Sequence, residues 1–576
     1  MIIPSRFCMA LLILIISAAF LPSDVMATEP DEDLPSIVRV NVPSIERIWE
    51  ELELLYEGVF HDPSQVDEEI ENIVSTVPDL VDIEVLGQSI EGRNITCLRI
   101  TNEDNPVQKA KTLVVAHHHG REQITVELAL RFILYLLNGY GIDDTITEYV
   151  DTQEIYIIPT LNPDALEVVV NQGNHWLRKN LRPYDNDGDG LVSEDDAEDV
   201  NGDGHISEFY VYIKDYPEQV PNIMNFDYSY REGIDNDHDG LLNEDEVGLV
   251  DLNRNYPTFW EDGGPEYEDV TTQVYHGNAS FSEPETQAFR DFALKHKFAM
   301  TYSLHSGTNA TFFPTDEYDD WCQPLLYYNI ARDYREILPD GYNRGIGYPQ
   351  VSTTKLESGL SGSWDEWMYY ERDSTVPITF EVYTNESANE NYAMGNIILE
   401  NNTHIIREWK DIYGYFNPEK EYIDTLWTEL RPAFDYLLEM TPRVVLNALG
   451  ISGGVSEGEK VDITMNMECL SPRLSTKDAI FILDEDGNIL DSLISIGPDQ
   501  RISAHPKFEL PEDLSPAGYK ILIGNNYTGF AQFVLATGGT VPILNPLLIG
   551  VGTGVAIGVI SLVIIVYFMK SRKNPV

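Results

Sequence analysis

Between residues 80 and 440, short apolar runs of strand length alternate with stretches of helical periodicity, and this alternation constrains the fold more than any other feature of the chain. The strand-like runs are "ITCLRI", "TLVVAHHH", "EIYIIPTL", "FAMTYSLHS" and "PITFEVYT". The long helical stretches are "TVELALRFILYLLNGY" and "IDTLWTELRPAFDYLLEM", the second ending near Met440. Apolar runs without polar alternation belong to strands buried on both faces, as in a sheet covered by helices. The pattern predicts an α/β domain over residues 58–440, with a mixed, mostly buried central sheet flanked by helices. Ahead of it, the spacing of Ile45, Ile48, Trp49, Leu52 and Leu55 predicts a helical lead-in within residues 28–57.

A chain of 576 residues exceeds what one hydrophobic core holds, and its character changes at Pro442. "RVVLNALGIS", "KVDITMNMECL", "AIFILDEDGNILDSLI" and "GYKILIGNNYTGFAQFVLA" are β-rich runs, with "DEDGN" as a hairpin turn. They predict an all-β, sandwich-like domain over 441–540 without an evident site, a spacer or docking module. Both ends carry membrane signals. Arg6, the apolar run from Phe7 to Leu21 and the small residues before Thr28 predict a secretory signal peptide over 1–27, a retained anchor being the alternative. Residues 546–569 carry no charge and are long enough to cross a bilayer as one transmembrane helix. Lys570, Arg572 and Lys573 follow, which keeps the tail 570–576 in the cytoplasm. The expectation is a single-pass cell-surface protein with its ectodomain outside.

The formal charge of −59 argues against nucleic acid as a partner, since phosphates need basic patches. An acidic surface of this kind suits salt-rich water, or simply a cell exterior. Cys8 leaves with the signal, and Cys97, Cys322 and Cys469 allow at most one disulfide.

Acid is concentrated in residues 185–246, which hold 20 acidic side chains against Lys214 and Arg231. Three loops there share one pattern: "DNDGDGLVSEDD", "DVNGDGHISEFY" and "DNDHDGLLNEDE". Oxygen side chains stand at the first, third, fifth and ninth positions of each. They are Asp185, Asp187, Asp189 and Ser193; Asp199, Asn201, Asp203 and Ser207; Asp235, Asp237, Asp239 and Asn243. Glycine holds the sixth position and an apolar residue the eighth, the ligand spacing of EF-hand- and dockerin-type calcium loops. Asp196 and Glu246 close the first and third loops, whereas the second ends in Tyr210 and needs its last ligand from elsewhere. Two to three structural calcium ions are expected, because packed carboxylates repel one another without a cation. A solvated loop of turn-forming Asp-Gly pairs is the plain alternative.

Three consecutive histidines stand where "TLVVAHHH" gives way to a helix, the edge at which α/β sheets keep their sites. Counting three residues on, only His119 reaches an acid, Glu122; His117 and His118 reach Gly120 and Arg121. Such an H-x-x-E pair offers nitrogen and oxygen ligands to zinc, which needs a third from elsewhere and keeps one position for water. His305 and Glu381 lie near the ends of two other predicted strands. Alone, His305 reads more readily as a hydrogen-bonded core histidine, and Glu381 as any buried paired acid.

Together with these residues, "LGQSIEGRNI", "HGRE", "LNPDA", "LRKN", "DLNRNYP", "YHGNASFSEPET", "SLHS" and "TFEV" follow in an order that resembles the zinc carboxypeptidase family, the M14 or carboxypeptidase A-like peptidases. The resemblance runs from Leu86 to Tyr383 and on towards Met440. It implies one catalytic zinc held by His119, Glu122 and His305, with Glu381 as general base for the zinc-activated water. It also implies that Arg178 stabilises the oxyanion, and that Asn253 and Arg254 hold the substrate's terminal carboxylate. Neutralising the acidic segment after Asp185 is the plainer role for Arg178.

The chain departs from that family in several places. The calcium-loop segment sits between "LRKN" and "DLNRN", where digestive members have a much shorter connection, and would rim the cleft. The family's mobile tyrosine would fall just before "SGSWDEW", where residues 351–360 contain none. The specificity-determining position falls at or near Trp364, with Asp365 adjacent. Residues from Thr28 to Glu57 are too few for the family's inhibitory prodomain. The resemblance implies an extracellular, membrane-anchored zinc metallocarboxypeptidase acting on peptide or protein C-termini. An M14-like endopeptidase or other amide hydrolase, or a catalytically idle, calcium-dependent surface binding protein, are the alternatives.

Overall fold

The computed structural model describes residues 45–535 except 105–108, 186–189, 191, 193–194, 203–205, 214–227, 237–246, 315–322, 340–344, 347–360, 373–375, 386–396, 401–403, 410–411, 454–459, 471–477, 484–488, 494–500, 505–506, 510–518 and 526–528. The expected signal peptide, transmembrane helix and tail lie outside the described residues. Among the described residues no helix is long and apolar enough to cross a membrane.

Up to residue 409 the strands are β1 (Val81–Gln88), β2 (Asn94–Ile100), β3 (Ala110–Ala116), β4 (Gln153–Ile158), β5 (Glu208–Ile213), β6 (Tyr228–Arg231), β7 (Phe298–His305), β8 (Thr308–Phe312), β9 (Gly345–Ile346), β10 (Val376–Tyr383), β11 (Ile397–Glu400) and β12 (His404–Trp409). Eight of them form one mixed sheet in the order β1-β2-β4-β3-β7-β10-β8-β9. The central neighbours β4, β3, β7 and β10 run parallel. Six helices matter here: α1 (Pro63–Thr76), α2 (Ile124–Gly139), α3 (Pro284–Lys295), α4 (Gln323–Ile337), α5 (Trp364–Tyr370) and α6 (Ile423–Met440).

Strand alternation sorts the apolar side chains onto two faces. Val114, Ala116, Ile155, Ile157, Met300 and Tyr302 face one core with α1, α2, α4 and α6. Leu113, Val115, Tyr156, Ile158 and Phe298 face a second core with α3 and α5. Every residue of the inner strand β7 is buried, whereas the edge strand β1 is largely exposed. The predicted α/β layering is therefore present, with helices on both faces of a mixed sheet.

The predicted lead-in helix is absent over the part described, since residues 45–54 contain no helix. Their backbone is bound to α2 instead. Leu52 N donates to Asn138 Oδ1 at 2.8 Å, Asn138 Nδ2 donates to Leu52 O at 2.9 Å, and Trp49 Nε1 donates to Leu137 O at 3.3 Å. Leu52 is buried but Ile48 is 80% exposed, so the periodic residues do not share one face. Tertiary hydrogen bonds override the weak local preference.

A second sheet, all antiparallel, has the order β11-β12-β5-β6. It joins the acidic segment to the stretch after Glu381, a pairing the sequence did not announce. Beyond α6, eight strands between Arg443 and Leu535 form two further four-stranded antiparallel sheets.

Candidate metal centre

The C-terminal ends of β3, β7 and β10 meet side by side. The turn after β3 carries His119 and Glu122, β7 ends on His305, and Glu381 is the register partner of His305 on β10. His119 Nδ1 lies 2.7 Å from Glu122 Oε1, His305 Nδ1 lies 2.9 Å from Glu122 Oε2, and the two Nδ1 atoms are 3.1 Å apart. All three side chains are buried. Two ligands on a tetrahedral zinc stand about 3.4 Å apart, given bonds of about 2.0–2.1 Å. The triangle is slightly tighter than that and otherwise has the shape of a three-ligand site. Two imidazole nitrogens and one carboxylate suit zinc, so the residues fit the metal that the sequence implies.

A second layer of side chains fixes the ligands. His119 Nε2 lies 3.1 Å from Asp251 Oδ1, and Asp251 Oδ2 accepts from Arg178 Nε at 2.9 Å. Ser306 N donates to Glu122 Oε2 at 3.2 Å, and His305 Nε2 lies 3.0 Å from Ser303 Oγ. Burial opposes ionisation of Asp251, but the positive charge of Arg178 and the bond to His119 hold its pKa well below the usual carboxylate range. Asp251 opens the "DLNRNYP" motif, yet its role was not legible from the motif alone. A carboxylate that locks the tautomer of a metal-ligating histidine is a recurrent partner, and that was the available signal.

The two acids nearest the centre titrate in opposite directions. Burial raises the pKa of Glu122, yet His119 and His305 overcome it and keep the carboxylate ionised. Glu381 goes the other way: burial, then the negative charge of Glu122, push it well above the usual range, and Arg178 offsets only part of this. Glu381 Oε2 is sheltered and has no hydrogen-bond partner among the described residues. Arg178 is raised above its ordinary value: burial lowers it, but Asp251 and Glu122 prevail. Its Nη1 lies 3.8 Å from Glu122 Oε1.

The other residues singled out in the sequence divide. His117, with φ of 60°, is within bonding range of Thr160 Oγ1 at 3.1 Å and Gly120 O at 2.9 Å. His118 stacks on His305 with ring centroids 5.3 Å apart and lies 3.1 Å from Ser303 Oγ. Neither enters the metal triangle. Asn253 is committed: its Nδ2 lies 3.3 Å from His305 Nε2, and its Oδ1 accepts from Trp364 N at 2.9 Å. Arg254 Nη1 donates to Asn253 O at 2.7 Å, while its sheltered Nε has no partner among the described residues. Trp364 is fully buried against His118 and Phe289, so its ring belongs to the core beneath the cleft. Asp365 is buried too, accepting from Ser363 Oγ at 2.7 Å and Glu366 N at 3.1 Å.

Of the residues expected to bind calcium, Asp187, Asp189, Ser193, Asp203, Asp237, Asp239, Asn243 and Glu246 lie outside the described residues. In the first loop Asp185 Oδ2 accepts from Gly190 N at 3.0 Å, and this sixth-position glycine has φ of 96°. In the second, Asp199 Oδ1 accepts from Gly202 N at 2.7 Å. Glu232, outside all three loops, accepts from Asn201 N at 3.0 Å and Ser207 N at 3.2 Å. The buried Asp195 accepts from Asn236 N at 3.0 Å, joining the first loop to the third.

Comparison with known proteins gives one family and many partial relatives. The family model described as zinc carboxypeptidase (peptidase M14) matches residues 66–433, more than half of the chain. A zinc carboxypeptidase of Saccharothrix mutabilis subsp. capreolus is 35% identical over 129 residues, 22% of this chain and 29% of the relative. Mouse carboxypeptidase M is 28% identical over 130 residues, again 22% and 29% of the two chains. The inactive metallocarboxypeptidase ECM14 of Saccharomyces cerevisiae is 35% identical over 110 residues, 19% of this chain and 25% of the relative. The chain thus spans under a third of the length of these curated relatives. Among solved structures, thrombin-activatable fibrinolysis inhibitor aligns over 66% of this chain and 74% of its own, at 19% identity and a TM-score of 0.44.

Proposed function

Because the chain belongs to the zinc carboxypeptidase (M14) family, we propose that it is a zinc metallocarboxypeptidase that cuts the last bond of peptides or proteins. The buried triangle of His119, Glu122 and His305, with Glu381 and Arg178 beside it, carries this reading. Zinc held there would supply a Lewis acid and let water ionise near neutral pH. Glu381 Oε2, sheltered and without a hydrogen-bond partner among the described residues, takes the proton of the attacking water and returns it to the leaving amine. Glu122 stays ionised as a ligand, so the two carboxylates divide the roles by environment. Arg178, aimed by Asp251, donates to the oxygen on which negative charge develops. Arg254 is the cation offered to the terminal carboxylate.

The finer parts of the proposal rest on sequence. A signal peptide at 1–27 and a membrane helix at 546–569 would put the catalytic domain (58–440) and the β-rich domain (441–540) outside the cell. The loops of 185–246 would bind calcium as a structural ion. The commitment of Asn253 to His305 and Trp364 favours a second reading, an endopeptidase or other amide hydrolase that needs no terminal carboxylate.

The test incubates the full chain, solubilised and supplied with zinc and calcium, with a mixed peptide pool and reads the products by mass spectrometry. Stepwise shortening from C-termini is expected, slowed about 10²–10⁴-fold or more in Glu381→Gln. Internal cuts would reject the role of Arg254 and support the second reading. No cleavage by a folded, zinc-loaded chain would overturn hydrolysis and leave a surface binding protein.

A further inference from the structure

The two turns that carry the metal ligands are gripped by one dipeptide from a distant part of the chain, Phe416-Asn417. Helix α2 begins directly after the Glu122 turn, yet its N-cap residue, Gln123, makes no side-chain capping bond. Asn417 caps it across 293 positions of sequence: its Oδ1 accepts from Ile124 N at 2.9 Å. The same amide donates from Nδ2 to Arg121 O at 2.8 Å, so the backbone is pinned on both sides of Glu122. Asn417 is only 1% exposed. Phe416 completes the grip. Its ring lies 4.4 Å from the Arg121 guanidinium and packs against Gly307, two residues beyond His305. A Cβ at Gly307 would come within 2.7 Å of that ring, so the second turn is held at van der Waals contact.

We propose that Asn417 is a positioning residue for the metal centre: with Phe416 it fixes the His119–Glu122 turn and the His305 turn at one spacing, and so sets metal affinity. The inference rests on the zinc reading above and adds a residue outside every motif that carried it. The physical ground is the steep dependence of a metal site on ligand placement. Three ligands within 3.1 Å of one another leave little tolerance, and loss of the contacts that orient metal ligands typically costs about 10–100-fold in metal affinity. Without Asn417, the Ile124 N–H and the Arg121 carbonyl lose their side-chain partner in a buried setting, and the turn can relax only by moving.

The experiment measures zinc affinity by competition with a chromogenic chelator for the full chain, Asn417→Ala, Asn417→Asp and Ile70→Ala. Ile70 lies on α1, away from the centre, and its truncation supplies a comparable loss of thermal stability without touching either turn. The expected result is zinc held about tenfold or more weakly by Asn417→Ala than by Ile70→Ala. Asn417→Asp, which keeps the acceptor for Ile124 N and loses the donor to Arg121 O, should fall between Asn417→Ala and the unaltered chain. Should Asn417→Ala not fold, Asn417→Asp against Ile70→Ala carries the comparison. Equal zinc affinity in the Asn417 and Ile70 variants overturns the positioning role and leaves the zinc reading intact. An unaltered chain that takes up no zinc overturns both.

Discussion

Replacing Asp251 by asparagine removes one charge and almost no volume, so its effect isolates what the carboxylate does. Oδ1 faces His119 Nε2 at 3.1 Å and accepts from Asn253 N at 2.9 Å; Oδ2 accepts from Arg178 Nε at 2.9 Å and lies 2.8 Å from Nη2. An asparagine has one acceptor oxygen and one donor nitrogen, and cannot serve both sides. With its nitrogen towards Arg178, two donors confront each other. With its nitrogen towards His119, the ring must turn Nε2 into an acceptor and carry its proton on Nδ1, the atom that faces Glu122 and His305. Loss of such an orienting carboxylate costs about 10–100-fold in metal affinity, or about 1.4–2.7 kcal/mol. Freed from Asp251, Arg178 also loses a charge-assisted bond of about 1.5–3 kcal/mol that aims it. Chelator competition should therefore give a zinc Kd raised about 10–100-fold. Peptide hydrolysis at saturating zinc should still show kcat/KM lowered by about tenfold or more. A variant with zinc Kd within about twofold of the unaltered chain and full kcat/KM would refute the reasoning, because the 117–123 turn alone would then orient His119.

Two other outcomes follow from different parts of the structure. His61 is buried between Glu127 at 2.8 Å and Glu69 at 3.3 Å; burial lowers its pKa, but these two acids prevail and raise it from 6.5 to about 9. A folded-state value above the unfolded one stabilises fully below about pH 6.5 and is lost as pH rises through about 9, at most about 3–4 kcal/mol. Urea midpoints at pH 6.5 and 9.5 should differ accordingly, and a flat profile, or one unchanged in His61→Gln, would reject the triad as its source. If the acidic loops bind calcium, the ion at a hundredfold over its Kd should add about 2.7 kcal/mol to stability and protect residues 185–246 from proteolysis, both reversed by a chelator selective for calcium. Identical melting and digestion with and without calcium would return those loops to solvated turns.

What was legible in the sequence was what is local. The inner strands β3 and β7 read as unbroken apolar runs because both of their faces are covered. His119 could be separated from His117 and His118 by counting, since the spacing to Glu122 sets both on one turn. His305 and Glu381 were legible as strand-end residues, and the parallel ladder makes them register partners. Misreadings arose where distant parts of the chain supply the hydrogen bonds. The 45–55 stretch has helical spacing but bonds to α2 through the Leu52 backbone on Asn138 and the Trp49 indole on Leu137. The contacts of Asn253 with His305 and Trp364, 52 and 111 residues away, were likewise not legible from its motif. Trp364 looked like a pocket residue and is a core residue, because its neighbours His118 and Phe289 come from other elements.

The same distance in sequence explains why the surroundings of the metal centre are not a passive frame. Trp176, two residues before Arg178, meets Trp409 of β12 with ring centroids 5.2 Å apart and clusters with Ile412 and Phe416. Strand β12 pairs with β5, which begins within the second acidic loop, so a chain of contacts runs from the acidic segment through Trp409 and Phe416 to Arg121 and Gly307. If the acidic loops bind a cation, this path of contacts links it to the element that holds both metal-bearing turns. Thermodynamic linkage makes such an effect reciprocal: whatever factor the first ion contributes to the affinity of the second, the second returns to the first. Under that condition the calcium prediction and the role of Asn417 are coupled. A loss of zinc affinity on calcium removal, abolished in the Asn417 variants, would trace the coupling to this one contact.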